Sequence, residues 1–230
     1  MTSAIIVAAG KGTRMGPNVD KVFLELAGCP VVVHTWRRFD RCAAINNLVL
    51  VVRAGMEAEF AALAKRFELR KPFRVVAGGR ERQDSVWNGL EALADDADIV
   101  AIQDAARPCT SERLITATIE AARMAGASVA AQAMTDTIKE SVDGKIIERT
   151  LDRGRLWSVQ TPQTFRVEVI RRALEEVRRR NLLVTDDTAA CELVGQPVQL
   201  VVGAEPNPKV TRPEDLAYIE LLLRSEHQPR

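Results

Sequence analysis

The chain has 230 residues, enough for one sizeable hydrophobic core or two small ones. Hydrophobic residues make up 47% and charged residues 27%, the balance of an ordinary soluble globular protein. Lys and Arg number 32 against 31 acids, a net charge of +1, which argues against nucleic acid as the main partner. The apolar runs are strand-sized, well short of the roughly 20 residues that span a bilayer, so no membrane association is expected. Ala4–Ala9 is apolar, but no basic segment precedes it and Lys11 and Arg14 follow; it reads as a strand and not as a signal peptide. Cys29, Cys42, Cys109 and Cys191 are widely spaced with no C-x-x-C pair, as expected of reduced thiols in a cytoplasmic protein.

In chain order, short apolar runs alternate with longer amphipathic stretches. Strands are predicted at Ala4–Ala8, Leu48–Val52, Arg74–Ala77, Ile99–Gln103, Ser128–Ala133 and Val198–Val202. Helices are predicted at Val31–Arg41, Ala54–Phe67, Gln83–Leu93, Ser111–Met124 and Val167–Asn181, with a last one from Arg212 or Pro213 to about Arg224. This alternation predicts an α/β fold, a Rossmann-like, mostly parallel sheet flanked by helices, in one domain over residues 1–230. One segment breaks the rhythm. Thr137–Ser141 and Lys145–Leu151 read as extended pieces around Val142-Asp143-Gly144, a hairpin signal. The expectation is a protruding β-arm at about residues 135–153 that seeks a partner surface, hence a homodimer.

Only two histidines occur, His34 and His227. His34 lies in Val31-Val-Val-His-Thr-Trp36, the start of a buried helix, and is expected to be structural. The chemistry must therefore come from Lys, Arg, Asp, Thr and backbone amides. The first candidate motif is Ala8-Ala-Gly-Lys-Gly-Thr-Arg-Met15, directly after the first strand. Gly10 and Gly12 allow a ligand to approach the backbone amides closely. The spacing matches neither the dinucleotide fingerprint, which needs glycine where Met15 stands, nor the P-loop. Asp104 follows the apolar run Ile99–Ile102, which puts a carboxylate at the carboxyl edge of a buried strand, where open α/β sheets bind ligands. A hard oxygen ligand there suits a divalent cation such as Mg²⁺.

The loop with its following Lys21 resembles the N-terminal signature of sugar-phosphate nucleotidyltransferases. The later motifs, in order, resemble the 2-C-methyl-D-erythritol 4-phosphate cytidylyltransferase family of the non-mevalonate isoprenoid pathway. They are Gly78-Gly-Arg-Glu-Arg-Gln-Asp-Ser85, Asp104-Ala-Ala-Arg-Pro108, Thr135-Asp-Thr-Ile-Lys139, Asp152-Arg153 with Gln160-Thr-Pro-Gln163, Thr185-Asp186-Asp187, and Lys209-Val-Thr-Arg-Pro-Glu-Asp215. The resemblance implies transfer of CMP from CTP to a sugar-alcohol phosphate with release of pyrophosphate. It implies that Ala8, Ala9, Gly10, Gly12, Lys21, Gly79, Ser85, Asp104, Ala105 and Lys209 bind the nucleotide. Asp104 would hold the metal, Mg²⁺ or another divalent cation. Asp104, Arg107, Thr137, Arg153, Thr161 and Thr211 would bind the acceptor, Arg153 reaching across the dimer. Arg14, Lys21, Arg153 and Lys209 would act in catalysis. Members of the family commonly carry proline before the lysine and glutamine after it, where this chain has Asp20 and Val22. Asp20 can pair with Lys21 or point to solvent. A ribitol 5-phosphate cytidylyltransferase, another nucleotidyltransferase with the same first loop, and a non-catalytic CTP-binding module remain alternatives.

Overall fold

The computed structural model describes residues 1–10, 12, 15 and 20–225. The element order is β1 (Thr2–Val7), β2 (Glu25–Leu26), β3 (Cys29–Pro30), α1 (Val31–Arg41), β4 (Asn47–Val52), α2 (Glu57–Arg66), β5 (Phe73–Ala77), α3 (Arg82–Glu91), β6 (Ile99–Asp104) and α4 (Glu112–Ala125). It continues with β7 (Ala127–Ala133), β8 (Lys139–Glu140), β9 (Arg149–Thr150), β10 (Trp157–Arg166), α5 (Val167–Arg179), α6 (Asp187–Leu193), β11 (Gln199–Val202) and α7 (Asp215–Ser225).

The main sheet has seven strands in the order β11-β7-β10-β6-β1-β4-β5. All neighbours are parallel except at β10, which runs antiparallel to both β6 and β7. The predicted mostly parallel α/β fold is observed. Both faces of the sheet are covered, and this explains why its strands read as continuous apolar runs. Ala4, Ile6, Leu48 and Leu50 pack on one face with Trp36 and Phe39 of α1, Phe60 of α2 and Ile115 of α4. Ile5, Val49 and Val51 pack on the other with Val86 and Leu90 of α3, Ile170 and Leu174 of α5 and Cys191 of α6. A smaller cluster seats α7, through Ile219 and Leu223, against Leu26, Val31 and Val210.

The six predicted strands and six predicted helices are present, with ends shifted by up to three residues. The sequence reading lacks the ten-residue strand β10, the seven-residue helix α6 and the two-residue strands β2 and β3. In the 135–153 region only Lys139–Glu140 and Arg149–Thr150 pair, antiparallel, as a two-stranded sheet apart from the main one. Gly144 takes a φ of +70°, and Asp143 Oδ1 accepts the amides of Lys145 and Ile146. The chain bends at Asp143-Gly144, but the two predicted extended pieces reduce to strands of two residues each, joined by a longer loop than Asp-Gly alone predicts. His34 is buried, with Nε2 2.7 Å from the Leu26 carbonyl oxygen, as expected of a structural histidine. No disulfide joins the four cysteines. Among the described residues no helix is long and apolar enough to cross a membrane.

The chain leaves β1 toward β4 and β5, then returns to β6 on the other flank of β1. The carboxyl ends of β1 and β6, at Val7 and Asp104, therefore bracket the point where the winding reverses. Such points in open α/β sheets leave a crevice for ligands.

Candidate active site

An open cleft of about 190 Å³ occupies that crevice. Ala8, Ala9, Gly10, Lys21, Gly79, Ser85, Asp104, Ala105 and Lys209 line it, together with Arg80, Glu81 and Arg82. Nine sequence-predicted residues thus meet in one place. Gly12, the remaining nucleotide-binding candidate, is not among the lining residues, and Arg14 and Lys11 lie outside the described residues.

The floor is built by backbone hydrogen bonds that continue the sheet. Ala8 N–H donates to the Val51 carbonyl, Gly78 N–H to that of Val52 and Ala105 N–H to that of Val7. These fix the three strand-to-loop exits at which the site residues stand. Gly12 has a φ of +63°, and a Cβ there would stand 3.1 Å from Lys21 Cγ. Glycine at 12 thus lets the loop lie against the lysine stem. At Gly78 and Gly79 the reason for glycine is close packing within the protein. A Cβ on Gly78 would meet Ala9 Cβ at 2.4 Å, and one on Gly79 would meet Asp84 Cβ at 2.2 Å. Ser85, 3% exposed, fastens this turn: its hydroxyl accepts the Gly79 amide and donates to the Glu81 carbonyl, both at 3.1 Å.

Asp104 is the electrostatic centre. Lys209 Nζ stands 2.6 Å from Oδ2, Arg107 Nε 3.6 Å from the same oxygen, and Arg82 Nε 3.7 Å from Oδ1. Burial pushes the carboxyl up, but Lys209, Arg82 and Arg107 outweigh it and hold it at about 2. It is a carboxylate at any physiological pH.

Arg82 was not singled out from the sequence, and it joins Asp104 to a second acid. Its Nη1 lies 2.8 Å from Oδ2 of Asp187, which is fully buried. Burial drives the Asp187 carboxyl above its ordinary value, against the opposing pull of Arg82. Asp186 caps α6 by accepting the Ala189 amide, and Gln163 binds both acids, Nε2 to Asp186 Oδ2 at 2.9 Å and Oε1 to the Asp187 amide at 3.0 Å. The Gln160–Gln163 and Thr185–Asp187 motifs are therefore one locked unit. No local sequence signal marks the Arg82–Asp187 pairing, because the partners are 105 positions apart.

The loop carrying Lys209 is held by Asn207, also absent from the sequence candidates. Its Nδ2 donates to Gln160 Oε1 and the Thr161 carbonyl, and its Oδ1 accepts the Thr110 hydroxyl. Val210, fully buried, donates its amide to the Ala106 carbonyl, and Lys21 Nζ reaches the Val210 carbonyl at 3.1 Å. Lys21 and Lys209 thus approach the cleft through adjacent backbone. Asp20 takes neither expected course: it pairs with Arg53.

The remaining candidates do not line the cleft. Arg107 lies behind Asp104, donating to the Asn207 carbonyl at 2.7 Å. Thr161 is buried, and its hydroxyl accepts the Asp104 amide at 3.1 Å. The Thr211 hydroxyl donates to the Lys209 carbonyl, and its amide to Asp215 Oδ2. Thr137 is exposed. Arg153 is exposed in a short 3₁₀ turn and donates to the Thr135 carbonyl at 2.6 Å.

The described residues contain no cluster of three or more His, Cys, Asp or Glu side chains able to hold a metal. Asp104 alone still fits Mg²⁺, which is held by one or two carboxylates while phosphate oxygens and water fill its other positions. Its Oδ1 has Arg82 Nε at 3.7 Å, and Asp104 lines the cleft together with Ala105 and Lys209.

Residues 2–225 match the family model for 2-C-methyl-D-erythritol 4-phosphate cytidylyltransferase. A protein of that name from Pelotomaculum thermopropionicum is 42% identical over 97% of this chain and 94% of its own. One from Alkaliphilus oremlandii is 41% identical over 100% and 98%. The solved 4-diphosphocytidyl-2C-methyl-D-erythritol synthase of Anaerococcus prevotii superposes with a TM-score of 0.85 at 31% identity, covering 97% of this chain and 96% of that one. The ordered motifs, the cleft at the reversal of the sheet and these full-length matches agree: the chain belongs to the 2-C-methyl-D-erythritol 4-phosphate cytidylyltransferase family.

Proposed function

We propose that the chain transfers CMP from CTP to 2-C-methyl-D-erythritol 4-phosphate, giving 4-diphosphocytidyl-2-C-methyl-D-erythritol and pyrophosphate in isoprenoid-precursor biosynthesis. The observation that carries this reading is the cleft in which Lys21, Lys209 and Arg82 converge around the ionised Asp104. An oxygen of the acceptor phosphate attacks the α-phosphorus of CTP, and the bond to the pyrophosphate leaving group breaks. A phosphate monoester is largely dianionic at neutral pH, so its oxygen needs no general base. That agrees with a chain of two histidines, one of them, His34, buried against the Leu26 carbonyl.

The difficulty is electrostatic, since two polyanions must meet and charge spreads over the α-phosphate as it is attacked. Lys21, with Arg14, stabilises that charge. Lys209 aligns triphosphate and acceptor, while the amides of Ala9, Gly10 and Gly12 receive phosphate oxygens and Ala8, its amide held by the Val51 carbonyl, lines the nucleotide side of the cleft. Gly79 and Ser85 border the base and ribose, and Ala105 the nucleotide beside Asp104. Asp104 would hold Mg²⁺, which would supply charge neutralisation at the triphosphate. Arg107 and Thr161 act on the acceptor end through Asp104, which both contact, and Thr211 through the Lys209 carbonyl. Arg153 and Thr137 belong to the acceptor site of the other subunit of a homodimer, delivered there by the 135–153 arm. Their exposure, away from the cleft of their own chain, supports this assignment.

The test is pyrophosphate release from CTP and Mg²⁺ with 2-C-methyl-D-erythritol 4-phosphate, and with ribitol 5-phosphate in parallel. CTP-selective turnover of the methylerythritol phosphate is expected. Preference for ribitol phosphate would overturn the acceptor assignment. CTP binding with no pyrophosphate release from either would overturn catalysis itself.

A further inference from the structure

Asp20 and Lys21 are neighbours in sequence, yet their side chains go to opposite supports. Lys21 reaches the carbonyl of Val210, the residue after the cleft-lining Lys209. Asp20 Oδ2 pairs with Nη2 of Arg53, the residue directly after β4. The pair is largely withdrawn from solvent, the Arg53 and Asp20 side chains being 31% and 21% exposed. The second carboxylate oxygen of Asp20 is buried and accepts no hydrogen bond, so Arg53 is the partner that compensates this carboxylate among the described residues.

The backbone shows what the pair holds. Asp20 to Phe23 form a turn closed by the Phe23 amide on the Asp20 carbonyl at 3.0 Å, with Lys21 at its first inner position. Downstream the turn is anchored in the core: Val22 is 3% exposed and its carbonyl accepts the Val32 amide in the first turn of α1. At its upstream end, among the described residues, the Asp20 side chain anchors it to Arg53. Arg53, its support, continues the strand whose Val51 and Val52 carbonyls accept the Ala8 and Gly78 amides of the cleft floor. The pair ties the lysine turn to the same sheet edge that sets the cleft walls.

We propose that the Asp20–Arg53 ion pair is a positioning clamp for Lys21, fixing the backbone from which its ammonium reaches the transferring phosphate. This rests on the role of Lys21 given above. The pair touches neither substrate and acts through Lys21 alone. A lysine displaced by about 1 Å loses much of its effect on a transition state while still attracting a bound triphosphate, so turnover suffers more than affinity.

The experiment compares Asp20→Asn, Arg53→Ala and Arg53→Lys with wild type by pyrophosphate release, following kcat and the KM for CTP, with thermal midpoints as a folding control. It includes Lys21→Ala and the Lys21→Ala/Asp20→Asn double variant. Expected are losses in kcat of about tenfold for Asp20→Asn and Arg53→Ala, with KM within about twofold. Arg53→Lys, which keeps the charge at that position, regains most of the rate. Asp20→Asn adds no further loss once Lys21 is gone. Folded Asp20→Asn and Arg53→Ala proteins with wild-type kcat, beside a crippled Lys21→Ala, would overturn the clamp and leave the role of Lys21 standing. So would an Asp20→Asn loss of the same factor in the Lys21→Ala background. Normal turnover by Lys21→Ala would instead remove the role of Lys21, and the clamp with it.

Discussion

The Lys209 ammonium stands 2.6 Å from Oδ2 of Asp104, and both residues line the cleft with Val7 at the end of β1. The contact makes each group a condition of the other. Lys209 is the foremost of the cations that hold Asp104 ionised, and Asp104 in turn fixes the position of the ammonium.

Lys209→Ala is expected to lower kcat by at least about a hundredfold, the scale of losing one group preorganised toward developing charge. It also alters stability in acid. The Asp104 carboxyl is depressed from 3.8 to about 2 by its surroundings. The stability this contributes, roughly 2 kcal/mol, is fully present above about pH 4 and lost as pH falls toward 2. Urea unfolding of wild type and Lys209→Ala between pH 5 and about 2 should show the variant with a shallower acid slope. Equal slopes would mean that the pair does not govern Asp104.

The Arg82–Asp187 pair should behave as a unit. Arg82→Ala leaves a fully buried carboxylate without its guanidinium, a change that costs about 3–5 kcal/mol in comparable pairs. For a chain of this length that corresponds to a fall in melting temperature on the order of 10 °C. Burial raises the Asp187 carboxyl, so its charged form costs stability above its folded pKa, and that cost disappears as pH falls. Arg82→Ala should therefore recover part of its lost stability on mild acidification. Arg82→Ala/Asp187→Ala should lose less than the sum of the single variants, which a double-mutant cycle by calorimetry measures.

What the sequence made legible follows from where each signal is written. Strand-sized apolar runs disclosed six strands because both faces of the sheet are buried. Asp104 was recognisable because an acid ending an apolar run must stand at a strand's carboxyl edge. Strand β10 was hidden by Pro162 and by Gln160, Thr161, Gln163 and Thr164, a pattern that argues against a central strand. The structure accommodates the proline because the pairing with β7 jumps from Val159 to Gln163 and that with β6 begins only at Gln163. Pro162 sits in the irregularity, where no ladder amide is needed. Arg82 and Asn207 carry no local signal for another reason: their partners lie 105 positions away at Asp187 and 46 to 97 away at Thr161 and Thr110. Helix α6, at seven residues, is too short to show a period.

The glycine pair gives a test of the cleft wall that leaves every charge in place. Gly79→Ala puts a methyl group 2.2 Å from Asp84 Cβ, and Gly78→Ala puts one 2.4 Å from Ala9 Cβ. Neither neighbour is the end of a flexible side chain, so the turn must move, at a cost of about 1–3 kcal/mol. The displacement falls on Ala9 and on the Gly79–Ser85 hydrogen bond, both of which line the cleft. Both variants should raise the KM for CTP more than they lower kcat. Ser85→Ala, which removes two hydrogen bonds but adds no bulk, should cost about 1–2 kcal/mol and shift KM less. Steady-state kinetics and thermal melts of the three variants decide the order.

The assignment of Arg153 to the partner's site makes a quantitative demand on mixed dimers. Arg153→Ala and Lys209→Ala should each be inactive alone. If each site takes Lys209 from one subunit and Arg153 from the other, a mixed dimer holds one site with both defects and one with neither. Equal mixing with free subunit exchange makes half the dimers mixed, so activity should return to about a quarter of wild type. If Arg153 serves the cleft of its own chain, every site in every dimer carries one defect and activity stays at the level of the parents. Co-expression of the two variants with different affinity tags, tandem purification of the mixed species and a pyrophosphate-release assay separate these cases. In the purified mixed dimer the expected activity rises to about half, because one of its two sites is intact. Sedimentation of the same sample checks the premise, since a monomer at assay concentration would leave no partner to supply the arginine.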